Sequence, residues 1–119
     1  MTGLTIMLIA TDPVRARAAL TLAIAHAATG GSARLFAHER AVRHFADLPD
    51  GDAATLAATG LPDLPQLRAM ADDTSVAMIA CQTGMALEEL TMADFATGVE
   101  AGGLISLLST LNDDRLVVI

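Results

Sequence analysis

Apolar positions in this chain follow two patterns. Residues 4–10, Leu-Thr-Ile-Met-Leu-Ile-Ala, form a short and nearly continuous apolar run, closed by Thr11, Asp12 and Pro13. Such a run fits a strand buried on both faces, as in a parallel sheet. The pattern then turns helical. Thr11 or Asp12 can cap a helix and Pro13 suits its first position. Ala19, Leu20, Ala23, Ile24 and Ala27 share one helical face, and Gly30 and Gly31 stop it. A second strand is expected over 32–37. A helix is expected over 38–48, with Val42 and Phe45 at i and i+3. Residues 49–63, rich in Pro, Gly, Asp and Thr, read as a surface loop with a helical turn at Asp-Ala-Ala-Thr-Leu-Ala-Ala.

An amphipathic helix is expected over 64–73 and a third strand over 75–80. A loop or short helix follows Cys81. Thr91 with Asp94 three residues on looks like an acidic capping box. A very short strand at 98–101, a helix over 102–114 and a last strand over 115–119 complete the pattern. Strands alternating with helices imply right-handed crossovers on a mostly parallel sheet. The expected fold is α/β, a three-layer α/β/α sandwich of about five strands, Rossmann-like, in a single domain spanning 1–119. In such sheets ligands bind outside the carboxyl ends of the strands. The loops there hold Thr11, Asp12, His38, Glu39, Cys81, Gln82, Thr83 and Gly84.

Composition narrows the function. Fourteen acidic residues against seven basic ones give a net charge of −7, which repels nucleic acid and anionic lipid. Three Phe are the only aromatics, too few for a base-stacking platform. Every basic residue is Arg, so Schiff-base chemistry and the P-loop lysine are excluded. Hydrophobic residues make up 53%, a surplus that points to a subunit interface. No stretch reaches the length of a membrane span. A single cysteine cannot form an internal disulfide, and the first residues lack a basic leader, so a soluble, cytoplasmic protein is expected.

The candidate chemistry rests on Cys81, the only cysteine. It stands where an apolar strand meets Gln82, Thr83 and Gly84. One reading is a small apolar filler at a strand end. The other is a working thiol, for which free N–H groups near Thr83 and Gly84 would favour the thiolate, while Glu88 and Glu89 would oppose it. His38 on the same edge can be a base toward Cys81, or simply an exposed first-turn helix residue. His26 reads as a stabiliser near a helix C-terminus and His44 as solvated. Asp12 lacks the second acidic pair and the Lys of a response-regulator phosphoryl site, and with Pro13 it reads as a helix start. Met70, Met78, Met85 and Met92 share no helical face and read as core filler. With one Cys and scattered His there is no metal-ligand spacing, and without G-x-G-x-x-G there is no dinucleotide fingerprint. No metal or cofactor is expected.

The frame around Cys81 resembles the DsrE/DsrF-like family, which includes sulfur-relay proteins of sulfur oxidation and tRNA thiolation. The resemblance lies in the first βα unit, in Ala-Arg-Leu-Phe-Ala ending the second strand, and above all in residues 81–119. There Cys81, Thr83, Leu90-Thr91, Asp94, Gly98-Val99-Glu100, Gly103-Leu104 and Leu116 to Ile119 match the family pattern without a gap. The resemblance implies that Cys81 accepts sulfane sulfur as a persulfide from a donor protein and hands it to an acceptor protein. It also implies a homo-oligomer, trimer or hexamer. One departure stands out: many members carry Arg-Gly where this chain has Glu88 and Glu89, so two anions replace a cation.

Overall fold

Asp12 caps the first helix as its position predicts, its carboxylate accepting from the Arg15 N–H at 3.0 Å. The computed structural model describes residues 1–119. Its elements run β1 (Leu4–Leu8), α1 (Pro13–Ala28), β2 (Ala33–Ala37), a 3-10 helix (Glu39–Phe45), α2 (Ala53–Ala58), α3 (Leu64–Asp73), β3 (Ala77–Cys81), α4 (Gln82–Leu87), a 3-10 turn (Met92–Asp94), β4 (Val99–Gly102), α5 (Leu104–Ser109) and β5 (Arg115–Val118). All five strands are parallel, in the order β4-β3-β2-β1-β5. The chain steps outward from β1 to β4, then crosses the whole sheet to lay β5 beside β1. Right-handed crossovers therefore put α5 on the face opposite α1 and α3, which gives the three layers.

The register sorts the side chains. Ile6, Leu35, Met78 and Val99 lie in one row, and Leu8, Ala37 and Ala80 in the next. These rows are buried against Ala16, Ala19, Leu20 and Ala23 of α1 and Leu67 and Ala71 of α3. The opposite face carries Thr5, Arg34 and Met7, and α5 lies on that side with Leu107 buried. Thr5 is fully buried; its hydroxyl donates to Asp114 at 2.8 Å and accepts from Arg34 Nε at 3.0 Å. Arg34 also reaches the Thr110 hydroxyl at 2.7 Å and the Leu107 carbonyl at 3.3 Å. This network fixes α5 and the lead into β5 onto the sheet. Around it the cover is incomplete: Ile105, Leu108, Leu116 and Val118 stay exposed. No helix is long and apolar enough to cross a membrane.

Three expectations change. Residues 39–45 form a 3-10 helix, where an α-helix over 38–48 was expected. Val42 and Phe45 are both buried at a spacing of three, which suits the tighter helix. The last helix is α5 alone, six residues long and followed by a turn with Asn112 at φ 51°. Of the four methionines read as core, Met78 is buried and Met85 partly so, but Met70 and Met92 are exposed. The Thr91–Asp94 box forms, with the Thr91 N–H donating to Asp94 at 2.8 Å.

The segment between the 3-10 helix and α3 is tied down by a buried carboxylate. Asp50 accepts from Arg17 Nη1 at 3.0 and 2.9 Å, from the Asp52 N–H at 2.9 Å and from the Leu64 N–H at 3.1 Å. Burial pushes the Asp50 carboxyl up, but the Asp52 amide, the Arg17 guanidinium and the Leu64 amide outweigh it and hold it below its ordinary 3.8. Asp50→Asn is expected to cost about 2 kcal/mol near neutral pH, because it removes the buried charge that Arg17 and two amides meet and leaves Arg17 only the exposed Asp52 at 3.1 Å. A depressed carboxyl contributes stability above its unfolded pKa and loses it as pH falls through the folded one. The gap between wild type and variant in urea unfolding should thus narrow from pH 7 to pH 3.

Candidate functional site

Cys81 is the last residue of β3 and the residue that starts α4. β3 is an inner strand with β2 and β4 on either side, so its carboxyl end opens between the 3-10 helix after β2 and Gly102 of β4. The residue is 5% exposed. Its surroundings are mostly main chain: the N–H groups of Glu39, Gly84 and Thr83 and the Thr83 hydroxyl lie near the sulfur, with no hydrogen bond closed onto it. Burial pushes the thiol up, but these donors together outweigh it and bring it below its ordinary 9.0.

The structure brings together only some of the residues that the sequence singles out. Thr83 and Gly84 stand at the sulfur, and Gln82 beside it is exposed. Glu39 supplies an N–H although nothing in its residue type advertises this; only its place just past a strand end pointed to it. Its φ of 55° is left-handed, a conformation uncommon for a residue with a side chain. His38 is half-buried rather than exposed. Its ring stacks on Phe36 with centroids 6.2 Å apart, its Nδ1 is buried without a partner, and no hydrogen bond joins it to Cys81. Of the two carboxylates expected to oppose the thiolate, Glu88 pairs with Arg40 at 3.4 Å, while Glu89 is exposed. The thiol is lowered where the two carboxylates were expected to raise it, because the nearby amides and the Thr83 hydroxyl outweigh its burial.

Thr11 and Asp12 lie elsewhere on the same edge. Thr11 lines a polar cavity of about 300 Å³ with Arg43, His44, Asp50 and Arg68. Thr11 and Asp12 also border an open cleft of about 610 Å³ between the ends of β1 and β5, where the strand order reverses. His44, expected to be solvated, is buried, with Nε2 on the Ala10 carbonyl at 2.9 Å. Burial holds it below its ordinary 6.5, against the hydrogen bond to Ala10. Its neighbour Arg68 is buried too and donates to the carbonyls of His44 and Leu48. His26 sits in the last turn of α1 and meets the Thr2 carbonyl at 3.0 Å. Nowhere do three or more His, Cys, Asp or Glu side chains converge into a metal site.

This geometry predicts a pH profile. Alkylation of the native protein should titrate with a midpoint below that of the unfolded chain. Thr83→Val, which removes the hydroxyl and keeps the shape, should raise the midpoint and slow alkylation near neutral pH several-fold. A midpoint equal to that of the unfolded chain would contradict the donor arrangement.

Comparison with known proteins places this arrangement in context. The model of the DsrE/DsrF-like family matches residues 5–119. Among solved structures, the ychN protein from E. coli superposes with a TM-score of 0.73 over 100% of both chains at 19% identity, a likeness of fold. No curated protein matches the sequence.

Proposed function

The chain belongs to the DsrE/DsrF-like family, and from that premise we propose that it is a small cytoplasmic sulfur carrier. As a single domain it takes sulfane sulfur onto Cys81 as a persulfide and passes it to an acceptor protein. The observation that carries this reading is the place of Cys81, at the carboxyl end of an inner strand and the start of α4, beside the amides of Glu39, Thr83 and Gly84. They favour the thiolate, which is the nucleophile in persulfide exchange.

The step balances without an oxidant or reductant. Cys81 Sγ attacks the outer sulfur of a donor persulfide. The sulfur–sulfur bond of the donor breaks, the donor thiol leaves as thiolate with the electron pair, and a new sulfur–sulfur bond stands on Cys81. Attack by an acceptor thiolate on the outer sulfur repeats the exchange and regenerates Cys81. Thr83 and Gly84 hold the thiolate through each turn. Gln82, His38, Thr11 and Asp12 stand along the same edge, available to a docking partner.

The exposed side chains Ile105 and Leu108 of α5 and Leu116 and Val118 of β5 support assembly into a homo-oligomer, of which the family suggests a trimer or hexamer. One observation favours a second reading, a non-catalytic binding or assembly subunit: Cys81 is 5% exposed, as a structural cysteine would be. In that case Cys81→Ala costs about 1–2 kcal/mol and leaves partner binding intact.

Incubation with a persulfide donor, followed by intact mass spectrometry, separates the two. A carrier gains one sulfur atom, and Cys81→Ala gains none. A folded wild type that takes up no sulfur, and whose thiol reacts only after denaturation, establishes the second reading instead. Sedimentation velocity should find an oligomer at micromolar concentration, with Ile105→Asp smaller; a monomeric wild type would refute the assembly.

A further inference from the structure

Two segments far apart in sequence build the surroundings of Cys81, and they meet at a contact that permits no side chain. A Cβ on Gly84 would fall onto the Glu39 carbonyl oxygen and lie 2.8 Å from both the Glu39 carbonyl carbon and Val42 Cγ1. A backbone carbonyl cannot swing aside as the end of a flexible side chain would, so α4 would have to lift. The same junction holds the left-handed Glu39, φ 55°, and is bridged by the Arg40–Glu88 ion pair.

We propose that Gly84 and Glu39 are positioning residues for the Cys81 thiol. The bare Cα of Gly84 seats α4 against the Glu39 carbonyl, and the left-handed turn at Glu39 aims its N–H at the sulfur. The inference deepens the reading of Cys81 as the sulfur-bearing group and rests on it for its functional meaning. Strained backbone that persists at one residue is held there by its surroundings, and here the strained residue is the one that supplies a donor from outside α4. The titratable and charged groups on the elements around the thiol are His38, Glu39, Arg40, Arg43 and His44 on the side of β2, Glu88 and Glu89 at the end of α4 and Glu100 on β4. Arg40 and Glu88 answer each other, and the donors near the sulfur are main-chain N–H and a hydroxyl.

The test is the pH dependence of Cys81 alkylation by iodoacetamide in the intact protein, with thermal unfolding as the control for folding. The variants are Gly84→Ala, Glu39→Val and Glu39→Gly. The midpoint is the readout, because it reports the thiolate and a change of access alone does not move it. Gly84→Ala should raise the midpoint, with the thiolate fraction at pH 7 falling about tenfold. Glu39→Val should shift it the same way, since a β-branched residue resists the left-handed region. Glu39→Gly, which adopts that region freely, should keep the wild-type midpoint although the carboxylate is gone. Folded Gly84→Ala and Glu39→Val proteins with unshifted midpoints overturn the proposal, as does a Glu39→Gly midpoint that moves with theirs. If Gly84→Ala does not fold, the contrast of Glu39→Val with Glu39→Gly decides alone. No sulfur donor enters this measurement. Shifted midpoints without sulfur uptake would therefore refute the carrier reading and keep the positioning roles, and sulfur uptake with unshifted midpoints would do the opposite.

Discussion

The structure depends on the packing of two rows of apolar side chains beneath α1 and α3. Ile6, Leu35, Met78 and Val99 form one, and Leu8, Ala37 and Ala80 the other. A slip of one residue in any strand would send its apolar set to the opposite face, so the packing fixes the register. The register in turn fixes where each strand stops. Ala37, the last residue of β2, stands beside Ala80, and this brings the chain after β2 close to Cys81. The setting of the sulfur is thus a consequence of core packing as much as of local sequence.

The reversal of strand order has a second effect. It divides the carboxyl edge into two regions. Thr11 and Asp12 open onto the cleft between β1 and β5, while Thr83, Gly84 and Glu39 gather at Cys81. Around Arg17, Asp50 and Arg68, side chains from α1, the long connection and α3 are joined by buried polar contacts. That set holds the long connection in place, and Asp50, Arg17 and the two Nη groups of Arg68 have hydrogen-bond partners that offset the loss of water.

Much of this was legible from the sequence, and the limits follow from how far apart the partners lie. The five strands and the helices α1 and α3 are visible because their signals are local: continuous apolar runs, Asp12-Pro13 and the amphipathic spacing over 64–73. Cys81 as the focus was visible for the same reason, since it stands at the junction of an apolar run and a polar loop. The 3-10 helix was misjudged because Val42 and Phe45 at i and i+3 suit either helix. His44 looked solvated because its partner, the Ala10 carbonyl, is 34 residues away. Glu88 looked like a bare anion because Arg40 is 48 residues away. The place of Glu39 past a strand end is legible, but its role is not: it is played by backbone, in a conformation that its side chain does not favour.

The borders of the sheet carry one more consequence, which concerns how the protein stays out of fibres. β4 and β5 each have one unpaired side, and an open strand edge is a template for runaway aggregation. Both strands are only four residues long, and each carries a charge, Glu100 on one and Arg115 on the other. Short, charged borders of this kind blunt endless edge-to-edge growth. The sticky apolar patch lies instead on the broad side, on α5 and β5, where contact between copies closes into a finite particle if the rotation between them is cyclic.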